Sequence, residues 1–115
     1  MIGVFLCLLA ADGAEANARF FNRRVAPILA KRCVGCHNDE LKAANVSFED
    51  RASLSRIVVP GDPDASPLIR AIRRRGDVQM PPGPPLSGRD VATLTEWVRR
   101  GAAWGNAWGG KPGKR

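Results

Sequence analysis

Cys33-Val34-Gly35-Cys36-His37 is the stretch on which the reading of the whole chain turns. Two thiols three residues apart, followed at once by an imidazole, have the spacing through which c-type haem is held. Both sulfurs add to the haem vinyl groups and the histidine binds iron. Other chemistries use part of this pattern. Zinc takes four ligands, and the only remaining thiol is Cys7, in a segment that reads as a removable leader. A thioredoxin-like dithiol needs a strand before the motif and a helix after it. Here a helix-like pattern enters the box and a polar loop, Asn38-Asp39-Glu40, leaves it. Haem attachment is the reading adopted, against a chance dithiol or a metal site shared between chains.

Upstream, Phe20, Phe21, Val25, Ile28 and Leu29 recur at helical spacing, with Arg19, Arg23, Arg24, Lys31 and Arg32 on the other surface. The period predicts a helix over Asn17–Arg32 that delivers the box at its end. Pro27 lies inside the pattern and lacks a backbone donor, so the helix either kinks there or restarts with Pro27 in its first turn. Met1–Leu9 is apolar but too short to span a bilayer, and Ala14-Glu15-Ala16 has the small-x-small form of a signal-peptidase site. Residues 1–16 are therefore expected to be a signal peptide, although no Lys or Arg precedes Arg19. The competing reading is a buried N-terminal helix. Cleavage would remove Cys7 and commit both remaining thiols to the box.

Downstream, Val46-Ser47-Phe48 is a candidate extended piece and Glu49–Ser55 a candidate helical turn. Val59-Pro60-Gly61-Asp62-Pro63-Asp64 is a turn by composition. Ser66 as N-cap and Pro67 in the first turn then open a short helix with Leu68, Ile69 and Ile72 buried, ending near Arg73-Arg74-Arg75-Gly76. Those arginines read as a solvated helix end or as a docking patch. Met80-Pro81-Pro82-Gly83-Pro84-Pro85 is neither helix nor central strand, because its prolines remove most backbone donors. With the leader gone, Met80 is the sole methionine and His37 the sole histidine. Met80 is then the only uncommitted sulfur for a sixth iron ligand, lysine or an open position being the alternatives. Ser87 and Asp90 have capping-box spacing, and Val91, Leu94, Trp97 and Val98 share one face of the helix that follows, with Gly101 as its C-cap glycine. Residues 105–115 are rich in glycine and base and read as a loose tail.

Length and charge narrow the class. One small domain with four Phe, three Trp and no Tyr has little material for a core, and a large flat apolar group at its centre would supply it. The formal charge is +7, from 18 basic and 11 acidic residues. Loss of Asp12 and Glu15 with the leader gives 18 minus 9, or +9, before two haem propionates are counted. That balance suits an acidic protein partner or an anionic surface; no aromatic-basic motif argues for nucleic acid. Nothing resembles an enzyme's constellation: there is no second histidine, and Asp39, Glu40, Glu49 and Asp50 sit in a polar loop.

The order of these signals is similar to one family. Val25-x-Pro27-Ile28-Leu29, the C-x-x-C-H box, Val59-Pro60-Gly61 with Ser66-x-Leu68, Met80-Pro81-Pro82, Leu86, Trp97-Val98 and Gly101-Ala102-x-Trp104 together resemble the planctomycete-type cytochrome c domain, from about Phe20 to Trp104. The resemblance implies an all-α cytochrome c fold over residues 17–104, roughly three to five helices round one haem c. It also implies thioether links at Cys33 and Cys36, and iron ligation by His37 and Met80. Haem of this kind is attached outside the bacterial cytoplasm, which implies export to the periplasm or beyond. The expected function is a monohaem single-electron carrier with a redox protein partner and no membrane span after processing. The alternatives are a haem-based sensor with an open or displaceable sixth position, and an accessory haem domain of a larger protein. Among its departures from the family, Leu41–Ser55 is short of glycine, so the loop beside the haem edge is expected to differ.

Overall fold

The computed structural model describes residues 13–105. They are helical, with no strand among the described residues, as expected of a small all-α cytochrome-like fold. The apolar run Met1–Leu9 and most of the expected tail lie outside this range.

The first helix, α1, comprises residues 13–20, a π-helical turn Phe21–Val25 and an α-helical portion Ala26–Arg32. Pro27 falls in the first turn of the α-helical portion, one of the two expected arrangements, and the π turn before it carries the chain through without a break. The Ala26 amide bonds the Phe21 carbonyl, five residues back, and the inserted residue shifts the register just where Pro27 has no amide to offer. The bulge leaves Phe21, Val25, Ile28 and Leu29 all buried.

From Lys42 to Ile57 the chain has only short turns of 3₁₀-helix, Ala43–Asn45 and Arg51–Arg56. The second is capped by the Asp50 carboxylate, which accepts from the Ala52 amide. It corresponds to the turn expected over Glu49–Ser55. Val46-Ser47-Phe48 is buried but pairs with no strand. The Ser47 amide is taken by the Ser53 hydroxyl and the Phe48 amide by the His37 carbonyl, so the segment is stitched to the turns on either side.

Helix α2 is Pro67–Ile72 and helix α3 is Gly88–Arg99. Ser87 caps α3 as expected, its hydroxyl accepting from the Asp90 amide. Ser66 stands at the N-cap position of α2, but its hydroxyl does not cap. It accepts from the Val59 amide and donates back to the Asp62 carbonyl, tying the Pro-Gly turn shut from inside. The Gly61 amide in turn reaches the Val98 carbonyl at the end of α3, so this turn couples α2 to α3.

Leu94, Trp97 and Val98 of α3 are buried against α1, with the Trp97 and Phe21 rings 5.9 Å apart. Trp104 folds back to lie 4.8 Å from Phe21, and the indole of Trp97 donates to the Ala103 carbonyl. Gly105 lies so close to Asn22 and the Ala18 carbonyl of α1 that a Cβ would collide. Leu68, Ile69 and Ile72 of α2 join the same core with Val46, Phe48, Leu54, Val58 and Leu86.

Candidate functional site

The box forms at the end of α1 because the helix overruns its regular register there. The Cys33 and Val34 amides both bond the Leu29 carbonyl. The Cys33 carbonyl then accepts from the Cys36 and His37 amides, which makes one further turn. This turn holds both thiols and the imidazole within five residues, in unlike surroundings. Cys33 packs against the buried core, and burial pushes its thiol up to about 11, partly opposed by the Arg32 charge. Cys36 is exposed, and both thiols are free.

His37 is half-buried, and Nδ1 lies 2.9 Å from the Ala43 carbonyl and 3.3 Å from the Val46 carbonyl. Two carbonyls can only accept, so in the neutral imidazole Nδ1 carries the proton and Nε2 keeps its lone pair. That is the tautomer a metal-binding imidazole needs, oriented by an outer partner. The Phe48 ring meets the imidazole edge-on at 5.8 Å. The loop that returns these carbonyls is unusual: Lys42, Ala44 and Asn45 all have positive φ. Left-handed backbone costs a non-glycine residue roughly 1–2 kcal/mol, so tertiary bonds must hold it. Ala43 N–H to the Cys36 carbonyl and Phe48 N–H to the His37 carbonyl are two of them.

Met80 lies on a separate segment. Its amide bonds the Ala71 carbonyl at the end of α2, and its side chain packs, half-buried, on the same core as Cys33 and Val34. The Met-Pro segment is irregular as expected, with a cis Met80–Pro81 peptide. Arginines pin it at both ends: Arg74 donates to the Pro81 carbonyl, and Arg32, the residue before the box, donates to the Pro84 carbonyl. Sequence reading did not assign these roles to Arg32 and Arg74, since a guanidinium reaching a carbonyl 52 residues away leaves no local signal.

The set fits haem c by its chemistry: a turn with two thiols, an imidazole with Nε2 free, and a thioether on the shared core. The fit rests on these groups. Two concavities, of about 260 Å³ beside Leu54, Trp97 and Trp104 and about 270 Å³ beside Arg70, Arg75 and Val78, lie away from the box. The competing chemistries find less support. No three His, Cys, Asp or Glu side chains converge as metal ligands among the described residues, and no strand leads into the dithiol.

Comparison with known families points towards the haem reading. Residues 33–84 match the family model described as Planctomycete cytochrome C. The planctomycete cytochrome C match begins at Cys33 and ends at Pro84, whose carbonyl is held by Arg32. It thus contains all four expected site residues, while α1 and α3 frame it from outside. Over that segment, somewhat less than half of its length, the chain is similar to planctomycete cytochrome C, and haem c is the group that the family implies; cytochrome c domains are in general electron carriers rather than enzymes. No curated protein and no solved structure matches the chain. Among the described residues no helix is long and apolar enough to cross a membrane.

Proposed function

We propose that the chain is an exported single-electron carrier with one haem c, attached through Cys33 and Cys36 and ligated by His37 Nε2 and Met80 Sδ. The observation that carries this is the pair of carbonyls on His37 Nδ1, which leaves Nε2 as the imidazole's only donor atom. The haem, when bound, supplies a one-electron couple. The protein supplies the rest. Arg32 and Arg74 restrain the Met80 segment, so little conformational freedom remains to be lost when the thioether is held in place. The apolar core beneath Cys33 and Met80 keeps water from that side.

The partner proposed is an acidic redox protein. Of the arginines around the end of α2, Arg73 pairs with Asp64 and Arg74 holds the Pro81 carbonyl. Arg70 and Arg75 make no ion pair among the described residues and line one concavity with Val78, which is 61% exposed, and with the acidic Asp77. Ala71 lines it too, and its carbonyl holds Met80. A partner carboxylate seated between the two free guanidiniums would therefore dock next to the iron ligand. Export rests on Met1–Leu9 and Ala14-Glu15-Ala16.

The test of the ligand set is spectroscopic. The ferrous protein should be six-coordinate and low-spin and should resist carbon monoxide. The ferric protein should show the weak long-wavelength band of sulfur-to-iron charge transfer. Met80→Ala should abolish that band, lower the potential and admit exogenous ligands. An unmutated protein that is high-spin and binds carbon monoxide readily would make Met80 a loop residue and the chain a ligand-binding haem module.

A further inference from the structure

Asn38, the residue after the proposed iron ligand, is gripped at both ends of its amide. Nδ2 donates to the Val34 carbonyl at 2.7 Å and more weakly to Gly35 at 3.4 Å, both within the box. Oδ1 accepts from the Glu40 amide at 3.0 Å and the Leu41 amide at 2.8 Å, at the start of the returning loop. Only acceptors face one end and only donors the other, so the orientation of the amide is fixed by its partners. The backbone carbonyl of Asn38 takes the Lys42 amide at 2.8 Å. One residue therefore clamps the Cys-His turn to the loop that carries the Ala43 carbonyl back onto His37 Nδ1.

That loop would not hold its shape unaided, since Lys42, Ala44 and Asn45 are all left-handed. The Ala43 carbonyl is also the nearer of the two acceptors on Nδ1, at 2.9 Å against 3.3 Å for Val46. A carbonyl on the Nδ1 proton moves electron density towards Nε2 and makes the imidazole a stronger donor, which favours the more positive metal state. We propose that Asn38 is a positioning residue that sets the reduction potential, by holding the Ala43 carbonyl against the Nδ1 proton of His37. This rests on the haem reading above and adds to it a residue that does not touch the iron.

The experiment is a redox titration of the full holoprotein and two neutral variants. Asn38→Ala removes both grips. Asn38→Ser keeps a hydroxyl able to accept from the loop amides. Both should raise the potential. At fixed applied potential the ferrous-to-ferric ratio should rise about threefold in N38S and about tenfold in N38A, the latter about 59 mV for one electron. Exchange of the Nδ1 proton, followed by NMR, should quicken in the same order, and N38S alone carries the test if N38A does not mature. An unmoved or lowered potential in a variant that holds its haem overturns the proposal, as does a raised potential with unaltered Nδ1 exchange. Loss of stability alone would show Asn38 to be merely structural. Failure of the haem reading is separately visible, because the unmutated protein would then retain no covalent haem.

Discussion

Replacing Ser66 with alanine removes one oxygen from the interior and almost no volume. Ser66 is fully buried, and its Oγ is the acceptor for the Val59 amide at 2.8 Å and a donor to the Asp62 carbonyl at 2.9 Å. The exposed Asp62 can turn its carbonyl to water, so that loss is small. The Val59 side chain is exposed, but its amide is aimed at a fully buried oxygen, and the methyl that replaces the hydroxyl offers it nothing to bond. Stranding a donor in this way costs roughly 1–3 kcal/mol. For a domain of this size each kcal/mol moves the melting temperature about 4–8 °C, so a fall near 10 °C is expected. Ser87→Ala is the internal control: it removes an ordinary exposed N-cap from α3 and should cost about 1 kcal/mol. The assay is thermal and urea unfolding of the holoprotein and both variants, with an unchanged urea slope as the sign that the unfolded state is unaffected. A Ser66→Ala loss equal to or smaller than that of Ser87→Ala would refute the reasoning, since Ser66 would then be only another helix cap.

Electron transfer to an acidic partner should slow steeply as salt rises, because exposed charges are screened beyond a Debye length of about 10 Å at 0.1 M. Reversing charge at Arg70 and Arg75 should weaken the salt dependence while leaving the absorption spectrum unchanged, and stopped-flow rates flat across the salt range would make these arginines solubilising surface only. Protein purified from an exporting host should begin at or within a residue or two of Asn17, as read by intact mass. Recovery of Met1 or Cys7 in the holoprotein would contradict processing.

What the sequence made legible is what depends on neighbours along the chain. The spacing of Cys33, Cys36 and His37, the cap at Ser87, the apolar face of Leu94, Trp97 and Val98 and the irregular Met80–Pro85 segment were all readable, because each is set within a few residues. The course of α1 past Pro27 was open between a kink and a restart; the α-helix resumes with Pro27 in its first turn, and what the sequence did not show is the π turn before it, which keeps Phe21 and Val25 packed. The roles of Ser66, Arg32, Arg73 and Arg74 were hidden for the same reason: a hydroxyl or guanidinium is drawn to whatever acceptor the fold places nearby. The arginines at the end of α2 looked like surface, yet two of them hold structure. The site was half legible in the same sense. Candidate donors could be named from the chain, but the Ala43 carbonyl that orients His37 is backbone, and backbone acceptors leave no trace in residue identity.

The central claim is that two thioethers hold the haem in the Cys33–His37 turn, and denaturing extraction tests it most directly. Protein matured in a host that attaches c-type haem is unfolded and treated with acidified acetone, and the haem absorbance is followed. The account predicts that the haem stays with the polypeptide, and that the double variant Cys33→Ala, Cys36→Ala releases it to the solvent. Haem stripped from the unmutated protein under the same treatment would contradict it.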